Sequence, residues 1–204
     1  MSRLIVQFAR TPVAGFVKTR MQPYLSAQEA LKLHESLVIM CCRQLIASGL
    51  AEVQLWVDAQ PDHPLFLSCL DIGVSSIKVQ RGSDLGEKMF DCLSHSLREY
   101  QSVILVGSDC PAIDHPYLIE AFQALESTPL VFGPALDGGY VLLGAREICT
   151  ELFAGISWGR SNVLRTSLTA AKRLGLEVST LKALRDIDRP SDLEHYSEHD
   201  LIRR

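Results

Sequence analysis

The chain has 204 residues, 47% of them hydrophobic and 22% charged, which is near the average of globular domains and far from that of disordered chains. Its 20 Lys and Arg against 24 Asp and Glu leave a net charge of -4, without the electropositive footprint of a nucleic-acid binder. No run approaches the roughly 18 apolar residues of a membrane span, and a chain of this length buries roughly 70% of its unfolded surface around one core. Residues 1–204 are therefore read as a single domain with no nucleic-acid partner and no membrane insertion.

Taken in chain order, Leu4 to Ala9 reads as a buried strand, followed from Arg10 to Tyr24 by a loop rich in Pro, Gly and basic residues that is long for an idle connection. Ser26 and Glu29 form a capping box, and Ala30, Leu33, Leu37 and Met40 recur at helical spacing. Val53 to Val57 and Ile77 to Gln80 are the next strands, with helices between strands implying parallel neighbours. Gly82 to Glu87 leads into a helix carrying Met89, Leu93 and Leu97 on one face. Asp114 and Pro116 open a helix that runs to about Glu126. Leu130 to Phe132 and Tyr140 to Gly144 flank the turn Asp137-Gly138-Gly139, whose tightness predicts an antiparallel hairpin joined to an otherwise parallel sheet. A helix over Val163 to Leu174, a strand over Val178 to Leu181 and a polar helix over Pro190 to Ile202 complete the chain.

Cys41, Cys42, Cys69, Cys92, Cys110 and Cys149 show no C-x-x-C spacing, and four of them lie in regular apolar patterns, as buried thiols do. The start MSRLIVQFARTP is too short in apolar residues for a signal peptide, which predicts a reducing, cytoplasmic setting.

The chemistry-bearing segments follow strands. Val103 to Pro111, VILVGSDCP, ends an apolar run in a carboxylate, and open α/β sheets bind ligands where their strands leave. Asp109 is thus a candidate functional residue, although an Asp before a Pro also caps turns. In TPVAGFVKTR, Gly15 permits close backbone approach, Lys18 supplies a point charge and Arg20 a fork suited to phosphate oxygens. This reads as a phosphate cradle that is not a Walker A loop, or else as a solvated basic turn. In RDIDRPSDL, Asp186 and Asp188 form a second acidic cluster just past a short strand, and Asp188 could join Asp109 on a magnesium ion, which takes one or two protein carboxylates, or could cap the last helix. In QRGSDLGEKM, the helix start with Asp84, Gly86 and Glu87 either accepts a base or anion or is an N-cap at Asp84 with a glycine for packing. Asp137, Gly138 and Tyr140 either line an acceptor pocket or form a plain hairpin. The H-x-x-E-H pattern from His195 to His199 lies in a polar segment without a third ligand and is set aside as a zinc site, and the other histidines, His34 included, read as surface or packing residues.

The segments PVAGFVKTR, DLGEKM, GSDCP, GPALDGGYVLLG and DIDRPSDL, in that order, resemble the DUF2064 family of the nucleotide-diphospho-sugar transferase (GT-A-like) superfamily over nearly the whole chain. Relatives of that family resemble the molybdenum-cofactor nucleotidyltransferases and the phospholactate guanylyltransferases. The resemblance implies an α/β fold, a three-layer α/β/α sandwich whose mostly parallel sheet carries an antiparallel hairpin strand. It implies that Asp109 and Asp188 hold a divalent metal (Mg2+ or Mn2+), that Lys18 and Arg20 cradle the β and γ phosphates, and that Gln80 and Gly86 lie near the base. Lys18, Arg20 and Asp109 would be the catalytic set, Gly15 and Asp84 further nucleotide contacts, and Asp137, Gly138, Tyr140 and Trp158 the acceptor side. The chain departs from the family pattern at Phe16, where a basic residue is common, at Ser83, and at Trp158-Gly159-Arg160.

Three functions are compatible with these features. The first is nucleotidyl transfer from a nucleoside triphosphate to a small acceptor, which needs charge neutralisation and positioning more than a strong base. The second is glycosyl transfer from a nucleotide sugar, against which stands the absence of an Asp-x-Asp pair at Asp109. The third is a nucleotide-binding module without turnover.

Overall fold

The computed structural model describes residues 2–22 and 24–196. Seven strands, β1 (Arg3–Ala9), β2 (Glu52–Val57), β3 (Ser76–Val79), β4 (Ser102–Val106), β5 (Leu130–Pro134), β6 (Tyr140–Ala145) and β7 (Val178–Thr180), form one sheet in the order β3-β2-β1-β4-β6-β5-β7. Strand β6 is antiparallel to both β4 and β5, and the remaining pairings are parallel. The hairpin predicted at Asp137 to Gly139 is therefore present, and its return strand wedges between β4 and β5.

Helices cover both faces. On one side α1 (Ala27–Ser48), α2 (Pro64–Ile72) and α4 (His115–Ser127) pack Val38, Cys42, Leu45, Phe66, Cys69 and Phe122 against Ile5, Val53, Leu55, Ile104 and Val106. On the other, α3 (Leu85–Ser96) and α5 (Val163–Arg173) pack Met89, Leu93 and Ala171 against Leu4, Val6, Val103, Leu105 and Phe132. Neighbouring strand residues thus alternate between two buried faces, which is why the central strands are apolar throughout. All six cysteines are free thiols, five of them buried. No helix among the described residues is long and apolar enough to cross a membrane.

Ser26 caps α1 with the expected reciprocal bonds to Glu29, and Asp114 caps α4 by accepting from the Tyr117 amide at 2.9 Å. Helix α2 is an element that the sequence pattern left unspecified, because His63 and Pro64 start it without the usual Ser, Thr or Asp cap. The last helix is the main difference. Only α6 (Pro190–Leu193) is helical, the chain turns at 194–195, and 197–202 of the expected helix, with the Glu198 and His199 of the H-x-x-E-H pattern, lies outside the described residues.

Sheet order fixes where ligands can enter. Strand order reverses at β1 and β4, so the loops leaving them diverge and open a crevice at their carboxyl ends. One tight contact beside it depends on a glycine. Gly138 has φ +93°, and a Cβ there would stand 1.9 Å from the Ser161 carbonyl oxygen, so the hairpin turn abuts the 160s loop through bare backbone. Gly138→Ala is expected to cost about 2–4 kcal/mol, because the strained dihedral and the backbone collision add. Urea unfolding midpoints of the two proteins measure it.

Candidate functional site

A cleft of about 740 Å³ occupies the crevice, lined from β1's loop by Phe16, Lys18 and Arg20, from the end of β3 by Gln80, from the start of α3 by Asp84 and Lys88, and from the β4 exit by Ser108 and Asp109. Trp158 and Asp188 complete it. The sequence candidates Lys18, Arg20, Gln80, Asp84, Asp109, Trp158 and Asp188 therefore share one cavity although they span 170 positions of chain.

Lys18 is the centre of this arrangement. Its side chain is only 3% exposed, and its Nζ stands 2.7 Å from Asp109 Oδ1 and donates to the Ile187 carbonyl. Its backbone is left-handed at φ 49°, a conformation costly for a lysine and found where surroundings over-determine it. Ile187 N donates to the Asp109 carbonyl at 2.8 Å, which brings the residue before Asp188 onto the backbone of Asp109. Met21, Leu37 and Ile187 form a small buried apolar cluster that fixes the basic loop and the acidic segment against α1. Arg20 NH1 meets Asp188 Oδ2 at 2.5 Å, and the hydrogen bond and charge of Asp188 hold the guanidinium more firmly protonated than usual.

The remaining candidates divide. Gln80 uses its Nε2 on the Trp56 carbonyl at 2.8 Å and sits on the cleft wall. Asp84 caps α3 by accepting from the Glu87 amide at 2.9 Å, while Glu87 accepts from Ser83. A Cβ on Gly86 would stand 2.7 Å from the Trp158 ring, so this glycine makes room for the indole rather than facing the cavity. Gly15 lies in the turn closed by Phe16 N to Val13 O, and Phe16 beside it is 75% exposed at the mouth of the cleft. Asp137 lines an adjoining hollow of about 230 Å³, which shares Arg20, Gly159 and Asp188 with the main cleft. Tyr140 borders neither cavity. Its ring packs on Phe132 and Trp158, its hydroxyl faces Met89 Sδ at 3.8 Å, and burial pushes its pKa up. Gly138 serves the backbone contact with Ser161 described above.

Three cavity residues lie outside the site assigned from the sequence, although Asp186 already stands with Asp188 in one acidic cluster of the chain. His34 lines the cleft from α1 with Nε2 2.9 Å from the Arg10 carbonyl, and its signal was its place in the buried helical stripe of Ala30, Leu37 and Cys41. Lys88 adds a cation one turn into α3. Asp186 faces the smaller hollow, where burial and the nearby carboxylates of Asp137, Asp188 and Asp109 push its pKa up to about 6.

The carboxylates suit a hard cation. Asp109 Oδ1 is buried with the Lys18 ammonium 2.7 Å away as its ion-pair partner, the Asp109 side chain is otherwise 46% exposed, and Asp188 lines the same cleft. Among the described residues no group of three or more His, Cys, Asp or Glu converges to hold a metal. Two carboxylates with space for phosphate and water fit magnesium or manganese, which complete their shells from the ligand.

The family described as "uncharacterized protein conserved in bacteria (DUF2064)" matches residues 41–160. The chain belongs to that family. No curated protein matches the sequence. A crystal structure from Desulfovibrio desulfuricans G20, provisionally described as a nucleotide-diphospho-sugar transferase, is 29% identical with a TM-score of 0.86, covering 98% of this chain and 88% of that one. The 4-diphosphocytidyl-2C-methyl-D-erythritol synthase of Anaerococcus prevotii is 9% identical with a TM-score of 0.62 over 95% of each chain. Rv0371c of Mycobacterium tuberculosis, in complex with manganese, is 12% identical with a TM-score of 0.54 over 96% of this chain and 97% of that one. The fold of this DUF2064 member is thus the α/β fold of the nucleotide-diphospho-sugar transferases, as its motif order implies.

Burial lowers the pKa of His34, so the folded protein keeps the imidazole neutral while the unfolded chain binds a proton below about pH 6.5. The stability linked to this group is full above that pH and is lost as pH falls. Thermal unfolding between pH 7 and 5 is expected to decline less in His34→Gln than in the unsubstituted protein, the measured quantity being the difference between the two slopes.

Proposed function

We propose that this DUF2064 member is a metal-dependent nucleotidyltransferase acting on a nucleoside triphosphate and a small acceptor. The observation that carries the reading is the buried Lys18 ammonium set against Asp109 where β4 leaves the sheet, with Arg20 and Asp188 paired beside it in the same cleft. The neighbouring folds support it, since those named include a diphosphocytidyl-methylerythritol synthase and an inositol-1-phosphate CTP transferase.

In the reaction an acceptor oxygen attacks the α-phosphorus, the bond from that phosphorus to the α–β bridging oxygen breaks, and pyrophosphate leaves. Lys18 has a third ammonium proton beyond its contacts with Asp109 and Ile187, and Arg20 keeps most of its guanidinium donors, so both can bind β- and γ-phosphate oxygens. Fixed in advance, these donors meet charge developing on the leaving pyrophosphate without reorganising. Asp109 and Asp188 would hold a divalent cation, which supplies charge neutralisation between phosphates when bound. Gly15, Gln80 and Asp84, with Gly86 behind them seating the Trp158 ring, form the side assigned to the nucleoside. Asp137 and Trp158, with the hollow around Asp186, form the side assigned to the acceptor. Gly138 and Tyr140 shape that side from behind, through the Ser161 contact and the Trp158 ring. Six free cysteines accord with a cytoplasmic place of action.

A second reading, sugar transfer from a nucleotide sugar, is favoured by the description given to the 29% identical structure. Asp188 beside Asp109 would then replace the missing second carboxylate of an Asp-x-Asp pair.

Lys18→Ala and Asp109→Ala are each expected to lower pyrophosphate release by about 100-fold or more, the scale seen when one preorganised donor is lost. Unchanged release in both variants overturns the reading. A thermal-shift series with the four nucleoside triphosphates and with nucleotide sugars, each with magnesium, ranks the two readings, because a ligand stabilises according to its affinity for the folded state. Stabilisation by sugar nucleotides and by no triphosphate reverses the order, and tight binding with no product from any acceptor indicates a module without turnover.

A further inference from the structure

We infer that Gln7 and Gln44 are positioning residues that hold the Asp109 carboxylate in its binding orientation, an inference that rests on the nucleotide- and metal-binding reading above. Gln7 lies in the middle of β1 and is 0% exposed, where an apolar residue is the ordinary choice. Its Nε2 donates to Ser108 Oγ at 2.9 Å and to the Val38 carbonyl of α1 at 3.0 Å, and Ser108 Oγ donates onward to the Phe8 carbonyl at 2.8 Å. Gln44, from the next turns of α1, donates its Nε2 to the Pro111 carbonyl at 3.0 Å. The two carboxamides therefore tie the chain immediately before and two residues after Asp109.

Between these ties the segment is anchored from a third direction. Asp109 accepts from Ile187 N at 2.8 Å, and Cys110 Sγ donates to the Arg185 carbonyl at 3.4 Å. Residues 108–111 are thus each held by a group from elsewhere in the chain.

Both glutamines leave their Oε1 buried with no partner. An unsatisfied buried carbonyl opposes folding, and the buried bonds that each Nε2 makes offset that cost. The two residues tie the chain on either side of the same carboxylate, which is a shared positional task as well as a contribution to stability. Asp109 and Trp158 line the cleft, and Trp158 Nε1 is likewise buried without a hydrogen-bond partner, while Asp109 Oδ1 is buried against the Lys18 ammonium at 2.7 Å. A buried polar atom left unsatisfied in a folded protein calls for a reason, of which a functional role is one. What the glutamines retain in exchange is a pair of directed bonds, and a carboxylate must be oriented within a fraction of an ångström to share a cation with a second one.

The test uses Gln7→Met and Gln44→Met, which keep side-chain volume and remove the donors. Binding of ATP, GTP, CTP and UTP is titrated calorimetrically with and without magnesium chloride, alongside thermal unfolding and steady-state kinetics with the triphosphate that binds best. The expected result is a metal-free affinity unchanged within about twofold, with a melting temperature lowered only by the loss of the buried bonds. The gain in affinity on adding magnesium shrinks about tenfold or more, the scale at which groups behind a metal ligand act, and kcat falls with KM little changed. Ser108→Ala, which removes the acceptor of Gln7, is expected to give the same loss of the magnesium-linked gain, so the question stays answerable if a Met variant does not fold. A magnesium-linked gain equal to that of the unsubstituted protein in all folded variants overturns the inference while leaving the proposed function intact. A joint fall in melting temperature and metal-free affinity assigns the glutamines to packing and also overturns it. An unsubstituted protein that binds triphosphate with no magnesium-linked gain overturns the inference and the metal-dependent reading together.

Discussion

A lysine ammonium almost wholly withdrawn from water must be met by opposite charge and by acceptors, and Lys18 is met by Asp109 and by the carbonyl of Ile187. That requirement joins three stretches distant in sequence: the loop after β1, the exit of β4 and the segment after β7. The left-handed backbone at Lys18 and the Met21, Leu37 and Ile187 cluster serve the same end, since one turns the side chain inward and the other clamps the residues on either side of the charges. The buried ion pair, that cluster and the bond from Ile187 N to the Asp109 carbonyl together hold the basic loop and the acidic segment at one place.

The two ion pairs differ in exposure, and so in what they contribute. Lys18 is sealed against a carboxylate that is itself 46% exposed, so the cation is fixed while one face of Asp109 stays open to the cleft. Arg20 and Asp188 are both partly open, and a pair in that setting adds little to stability. In the proposed nucleotide complex a phosphate would compete for Arg20, and a cation for Asp188, with small loss to the fold. Beyond them, Asp137 and Asp186 line the adjoining hollow together with Arg20, Arg185 and Arg189, so opposite charges meet there as well.

The two glycines near this boundary have different causes. Gly138 is demanded by backbone approaching backbone, whereas Gly86 is demanded by an aromatic ring that fills the space its side chain would take. Trp158 is consequently seated against the start of α3, the helix that Asp84 caps.

Periodicity and capping chemistry were enough, in the sequence alone, to define the strands, the starts of α1 and α4 and the hairpin at Asp137, because these depend on contacts within a few residues. Motif order likewise pointed to Lys18, Arg20, Asp109 and Asp188. Helix α2 and the early end of α6 were not legible, since a His-Pro start and a polar terminal segment carry weak local signals. Tertiary structure alone decided that His34, Lys88 and Asp186 border the cavities, that Tyr140 and Gly86 serve packing, and that two glutamines bracket Asp109. The physical reason is common to all of these: burial and charge pairing are set by which strands neighbour one another, and the switch between β1 and β4 is a property of the assembled sheet rather than of any segment in it.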